Sequence, residues 1–356
     1  MQKTPLELGF YMPAEWETHE ATWIAWPHNR MDWPGKLRAV EWVYGEIVRK
    51  IIAGEVVRII VNSETHERRA RLILTRVGVD PSRVEFFLFE TNRGWTRDFG
   101  PVFVRRLRRH PQLGITRFRF NGWARYPDWE KDDAIPKRVA QALGLPLFCA
   151  KSKDRDVVLE GGSIDVNGRG TLITTEECLL DQTNQVRNPG FDRGDVEESL
   201  RVYLGVTNIL WLGRGIAGDD THGHIDDICR FVGPGTVVLC HESNPHDVNY
   251  WPLEENRERL EGMQLEDGSR IEVISLPMPE PLYLDGQRLP ASYANFYISN
   301  AAVLVPTFND PMDRVALGIL KEIFPDRTVV GIHAVDIIWG LGAIHCLTRE
   351  QPQVRY

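Results

Sequence analysis

The chain has 356 residues, 42% of them hydrophobic and 26% charged, and a formal net charge of −8. That composition suits a globular chain forming one large domain over residues 1–356, and its negative balance argues against a general nucleic-acid binder. No apolar run reaches the roughly eighteen residues of a membrane-crossing helix, so no membrane partner is expected.

In chain order, residues 22–26 read as a strand, followed by a helix near 37–53 and a strand at 56–62. Residues 96–108 and 114–120 read as a wide hairpin, followed by a helix near 132–143 and a strand at 146–150. Within 163–175 two apolar runs flank Asn167-Gly168-Arg169-Gly170, which is hairpin chemistry. A helix near 192–205 and the strand 208–212 follow. Residues 225–241 repeat the scheme around Gly233-Pro234-Gly235, with a helix near 253–262 and a strand at 271–276. Residues 292–306 repeat it around Ser299-Asn300, before a helix at 311–324 and a strand at 328–332. In that helix Asp310 can cap, Pro311 suits the first position, and Val315, Ile319, Leu320 and Phe324 share a face. The first strand lacks a local hairpin partner, which residues 343–348 could supply, closing the chain end onto its start.

The pattern amounts to about five modules of roughly 60–70 residues, longer than the common short repeats. Closed radial repetition would remove exposed sheet edges. An ordinary α/β domain of alternating strands and helices is the other reading. In the radial arrangement Asp98, Glu160, His224 and Cys346, each at or before the first strand of a hairpin, would converge on one central pocket.

The five cysteines, Cys149, Cys178, Cys229, Cys240 and Cys346, form no C-x-x-C pair, which points to free thiols in a reducing compartment. The first ten residues carry no apolar stretch of signal-peptide length, so a cytoplasmic location is expected. Most free cysteines are buried and structural, and that reading goes to Cys149, Cys178, Cys229 and Cys240. Cys346 differs because Gly340 and Gly342 precede it, leaving room around a nucleophilic sulfur.

If residues 222–226 are extended, His222, His224 and Asp226 share a face. They could form an H-x-H metal site, an acid/base histidine with its carboxylate, or a polar strand end beside the acidic pair Asp219-Asp220. The metal option is weakened because the chain has only ten histidines. Asp98 could be a turn carboxylate paired with Arg97, and Glu160 a loop residue. Trp95 and Trp123 could be core or could flank a cation. His345 should point away from Cys346, as strand neighbours do.

Six stretches resemble the agmatine deiminases and bacterial peptidylarginine deiminases of the guanidino-group-modifying superfamily. They are Met12-Pro13-Ala14-Glu15-Trp16-Glu17, Trp95-Thr96-Arg97-Asp98-Phe99-Gly100-Pro101, Leu159-Glu160-Gly161-Gly162-Ser163-Ile164, Thr174-Thr175-Glu176-Glu177-Cys178-Leu179-Leu180, Gly223-His224-Ile225-Asp226 and Ile344-His345-Cys346-Leu347-Thr348. The resemblance implies a five-bladed β/α-propeller with pseudo-five-fold symmetry. It implies Cys346 as nucleophile, His224 as the proton-transfer group, Asp98 and Asp226 as guanidinium-binding carboxylates, and Glu160 near the site. Those parts imply deimination of a small cationic guanidino substrate through a covalent thiouronium, with no metal or organic cofactor. Agmatine suits an acidic rim, for which Asp219 and Asp220 are candidates; arginine and peptidylarginine are the alternatives within this chemistry. A metal-dependent amidohydrolase and a non-catalytic propeller are more distant ones. A homodimer is compatible with the family. This chain departs from the usual Glu-Thr-Asp-Gly-His-Val-Asp-Asn pattern, having Asp220 and His222 where a substrate tail could be read.

Overall fold

Five sheets of three or four strands share one internal plan in the computed structural model, which describes residues 3–107 and 110–354. In each, an antiparallel pair is extended by a parallel strand that arrives after a helix. Val102–Arg106 pairs with Gln112–Arg117, and Leu147–Cys149 follows the helix Ile135–Leu143. Asp165–Val166 pairs with Thr171–Thr175, and Asn208–Leu212 follows Arg193–Leu204. Cys229–Gly233 pairs with Thr236–His241, and Glu272–Pro277 follows Tyr250–Glu261. Tyr297–Ile298 pairs with Ala302–Thr307, and Thr328–His333 follows Pro311–Ile323. The remaining sheet joins the chain ends: Thr348–Pro352 pairs antiparallel with His19–Ala25, and Val56–Val61 then pairs parallel after the helix Leu37–Ile51. The fold is therefore mixed α/β.

Local chemistry explains the element ends. Asp310 accepts from the Met312 N–H and forms a capping box with Asp313, with Pro311 in the first turn. Asp192 and Asp195 form the same box on Arg193–Leu204, and Gly205 ends that helix at φ 69°, a conformation glycine adopts without a Cβ penalty. Three apolar clusters fill the space between sheets and helices. Beneath the site runs a buried ion network. Arg97 donates to Glu350 at 2.7 Å and to Glu15 at 3.0 Å, while Arg230 contacts Glu15 at 2.9 Å and Asp165 at 3.0 Å. Removing one member of such a network strands a buried charge and costs about 3–5 kcal/mol.

Several sequence expectations need correction. Residues 343–348 do not form the closing strand. Ile344–Leu347 is a single helical turn and the strand is Thr348–Pro352. Likewise Thr96–Phe99 is a helical turn ahead of Val102–Arg106, and the outer end of that expected hairpin, Arg108, lies outside the described residues. Residues 222–226 are not extended: His222 has φ 66°, Gly223 has φ 89°, and Ile225–Asp227 is a 3-10 turn. The helix Glu64–Arg76 and the strand Val84–Leu88, which add a fourth strand to the chain-end sheet, were not expected.

Candidate active site

The turns that lead into the first strand of each sheet carry the candidate groups. Asp98 lies in Thr96–Phe99, Glu160 precedes the turn Gly161–Ser163, and His224 precedes Ile225–Asp227, which contains Asp226. Asn295 precedes Tyr297–Ile298, and Cys346 lies in Ile344–Leu347. A turn that ends a strand pair can aim a side chain along the strand axis without breaking the ladder, so Asp226 meets Cys346 although 120 residues separate them in sequence.

His224 sits among three carboxylates. Its Nδ1 is 3.7 Å from Asp98 Oδ1 and 3.9 Å from Asp226 Oδ1, and its Nε2 is 3.7 Å from Glu160 Oε2. Asp219 accepts from the N–H groups of Gly223 and His224, which holds the loop. Burial would lower the His224 pKa, but Asp98 foremost, with contacts to Cys178 and Glu160, holds it well above the usual histidine range. Three carboxylates around the ring favour the imidazolium.

The carboxylates differ in how they are held. Asp98 accepts from the Trp123 indole N–H at 2.9 Å and from the Gly162 N–H at 3.0 Å. Burial pushes its pKa up, against the pull of His224, to about 6. Asp226 Oδ2 bonds His345 Nδ1 at 2.6 Å, and the other ring nitrogen of His345 reaches Glu15 Oε2 at 2.8 Å. Burial would raise Asp226, yet this hydrogen bond, with the His345 charge, brings it below the ordinary carboxylate range. His345 lies in a helical turn, not a strand, and it bonds a site carboxylate where it was expected to point away. Glu160 is also buried; the Arg187 guanidinium at 3.1 Å outweighs that burial and lowers its pKa to about 2. Asp226 Oδ1, Glu160 Oε2 and His224 Nε2 are buried with no hydrogen bond, their opposite charges lying at 3.7–3.9 Å.

Cys346 is 7% exposed and lines a cavity of about 390 Å³ together with Trp95, Asp98, Trp123, Asp220 and Gly342. Its Sγ lies 3.8 Å from Asp226 Oδ2 and 3.1 Å from Asn295 Nδ2. Burial, then Asp226, Asp227 and Asp98, push the thiol well above its ordinary pKa. Glycines make room for all this. A Cβ on Gly342 would lie 2.7 Å from Trp95 and 3.2 Å from Cys346 Sγ. Trp95 and Trp123 are cavity wall, and Trp123 serves Asp98 through its N–H.

The cavity wall carries three further carboxylates, Asp32, Asp128 and Asp220. Asp220 accepts from the Tyr126 hydroxyl at 2.6 Å, and Asp32 and Asp128 both hold Arg93. Burial lifts the Asp32 pKa, against the Arg93 charge, to about 7.

His222 departs from the expected cluster. Its Nε2 pairs with Asp181 at 3.0 Å, and no carboxylate is shared between His222 and His224. The two rings thus serve different carboxylates. Two other groups bring possible ligand atoms within 4.8 Å of one another, Glu160 with Cys178 and His224, and Asp226 with Asp227 and Cys346. Arg187 already pairs with Glu160 at 3.1 Å, and His224 also faces Asp98 and Asp226, so the first set suits proton transfer better than a cation. Cys178 is buried as expected, in the turn Glu176–Leu179 beside His224. Cys149 is exposed rather than buried in the core.

The model of the Porphyromonas-type peptidyl-arginine deiminase family matches residues 11–352. An agmatine deiminase of Medicago truncatula is 36% identical over 99% of this chain and 99% of its own length. One from Stutzerimonas stutzeri is 34% identical over 99% of this chain and 98% of its own. Among solved structures, the agmatine deiminase of Enterococcus faecalis superposes with a TM-score of 0.90 at 29% identity, covering 100% of this chain and 99% of that one. A C. jejuni agmatine deiminase variant with substrate bound superposes at 0.84 with 28% identity, covering 97% of each chain.

Proposed function

Because this chain belongs to the Porphyromonas-type peptidyl-arginine deiminase family, we propose that it hydrolyses the guanidino group of agmatine to N-carbamoylputrescine and ammonia. One observation carries this reading: a thiol and an imidazole lie among buried carboxylates, and Asp226 Oδ1 and Glu160 Oε2 there make no hydrogen bond. A planar cation with several N–H donors answers both the charge and the hydrogen-bond need.

The chemistry follows from the charges. Asp98 and Asp226 hold the guanidinium, and its positive charge offsets the carboxylates that resist ionisation of Cys346, so the thiol releases its proton to solvent as the cation binds. The thiolate attacks the central carbon and gives a neutral tetrahedral adduct. The His224 imidazolium gives its proton to one amino group, which leaves as ammonia and leaves a cationic thiouronium on Cys346. Neutral His224 then takes a proton from water, and the hydroxide adds to the same carbon. The C–S bond breaks, the electron pair returns to sulfur, and the urea forms as the hydroxyl proton departs to make ammonium.

The acidic cavity wall favours agmatine over arginine. Arg93 is the one cation among the described residues lining the cavity, and both Asp32 and Asp128 engage it. An α-carboxylate there would meet Asp220 and Asp32 with no free counter-charge. An ammonium tail meets the opposite. Ammonia release from agmatine, arginine and a blocked arginyl peptide tests this: kcat/KM for agmatine should exceed the others by about 100-fold or more. Equal turnover of arginine would remove agmatine as the substrate.

The Asp98 carboxyl, with a pKa raised to about 6, sets the acid limb. Its charged form is the one that binds, so kcat/KM should fall as pH drops through about 6. A bound cation favours the carboxylate, so the same limb in kcat should lie at lower pH. Trp123→Phe deletes an N–H that stabilises the carboxylate and should move the kcat/KM limb upward. The alkaline limb is loss of the His224 proton. A profile flat from pH about 5 to about 10 would contradict these assignments.

The same reading takes the five sheets as blades of a β/α-propeller. Their common strand plan, the turn at each entrance that brings a group to the site, and the pairing of the chain ends in one sheet all support it.

A further inference from the structure

Asn295 was not a sequence candidate, yet it holds in the last sheet the place that Asp98, Glu160, His224 and Cys346 hold in the others. It is fully buried. Its carboxamide makes four contacts. The oxygen accepts from the N–H groups of His345 at 3.0 Å and Cys346 at 3.4 Å. The Nδ2 donates to Asp227 Oδ1 at 2.9 Å and to Cys346 Sγ at 3.1 Å. Oxygen and nitrogen of an amide are told apart by their partners. Backbone N–H groups can only donate, so the amide oxygen must face them and the NH2 must face Asp227 and the sulfur.

That orientation matters because the rest of the surroundings oppose a thiolate. Asp226 and Asp227 face Cys346 from Ile225–Asp227, Asp98 from Thr96–Phe99 and the Tyr44 hydroxyl from Leu37–Ile51. On its own turn His345 is taken up by Asp226 and Glu15, and His224 faces Asp98 and Glu160. A side-chain N–H aimed at sulfur within hydrogen-bond reach stabilises negative charge there and gains nothing from the neutral thiol.

We propose that Asn295 is a catalytic residue, whose side-chain N–H stabilises the Cys346 thiolate both when it attacks and when the C–S bond breaks and the electron pair returns to sulfur. The inference rests on the deiminase reading for its role in turnover, but its effect on the thiol is independent of any substrate. Two measurements separate the two. The first is the pH dependence of Cys346 alkylation by iodoacetamide without substrate, in wild type, Asn295→Asp and Asn295→Ser, with Cys346→Ala as the blank. Asn295→Asp keeps an oxygen for the backbone N–H groups and loses the donor to sulfur; Asn295→Ser is too short to reach it. The alkylation midpoint should rise by about one pH unit or more in both variants. The second is steady-state turnover. Loss of one donor to an anionic centre should lower kcat about 100-fold or more while KM stays within about threefold. A raised midpoint without any wild-type deimination would sustain the proposal for the thiol and reject the proposed reaction. An unchanged midpoint would overturn it, whatever happens to kcat. So would failure of both variants to fold, which would assign Asn295 to the scaffold alone.

Discussion

Cys346→Ser should abolish deimination, by about four to six orders of magnitude in kcat, while agmatine still binds. Binding persists because the groups that hold the cation, Asp98 and Asp226, are fixed by Trp123, Gly162 and His345, the sulfur adding only a 3.8 Å contact to Asp226. Chemistry is lost because an alkoxide is far harder to form than a thiolate. The carboxylates of Asp226, Asp227 and Asp98, which already push the thiol up, would oppose a serine alkoxide as strongly. Calorimetry should give an agmatine affinity for the variant within a few-fold of wild type. Acid quench of wild type during turnover should trap an amidine adduct on the peptide containing Cys346, and the variant should show none. Residual activity that disappears with a chelator would redirect the mechanism to metal-assisted hydrolysis. So would an adduct on Cys178, in favour of a different nucleophile.

Much of the alternation of hairpin, helix and strand was legible because it is written in local chemistry. Asp310 with Pro311, and Asp192 with Asp195 and Gly205, mark helix ends that any tertiary context would keep. What failed to register were short turns. Thr96–Phe99 and Ile344–Leu347 are four residues each, less than a helical period needs to show itself, so both looked like extensions of the neighbouring strands. The helix Glu64–Arg76 was missed for another reason. It buries only Ala70, Ile73 and Leu74, so its apolar stripe is thin, although Ser63 does cap it by accepting from the His66 N–H. Within the site, the groups with intrinsic reactivity stood out in sequence, whereas those that act through a partner did not. Glu15 meets His345 across 330 positions, and Arg187 meets Glu160 across 27. Asn295 carried one usable signal, its place ahead of a first strand in the repeating plan. That signal needed the turn positions to be assigned first.

The second large effect should come from a residue with no functional group. A Cβ on Gly162 would lie 2.6 Å from His224 Nδ1, 2.8 Å from Asp98 Oδ1 and 3.1 Å from Asp226 Oδ2. Gly162 is not among the residues with positive φ, so alanine is acceptable to the backbone and the whole penalty is contact. Something must move, and its neighbours are ill placed to yield. Asp98 is held by Trp123 and by the Gly162 N–H itself, and Asp226 by His345 at 2.6 Å. His224 is the least anchored, since its ring has no hydrogen bond shorter than its 3.7 Å approaches to Asp98 and Glu160. Gly162→Ala should therefore displace the imidazole or spread the two carboxylates. A shift of about 1 Å in such a group costs about 100-fold, and loss of both the proton donor and the clamp should bring kcat/KM down about 1,000-fold. Stability should fall by only about 1–3 kcal/mol, the usual cost of one extra methyl in a packed site. Unlike Cys346→Ser, this variant should also bind agmatine poorly, because the added methyl intrudes between the groups that receive the cation. Calorimetry on the two variants side by side, with thermal melts to show that both are folded, separates a lost nucleophile from a filled site. Wild-type turnover by Gly162→Ala would mean that the guanidinium does not sit between Asp98, Asp226 and His224, and the mechanism above would fall with it.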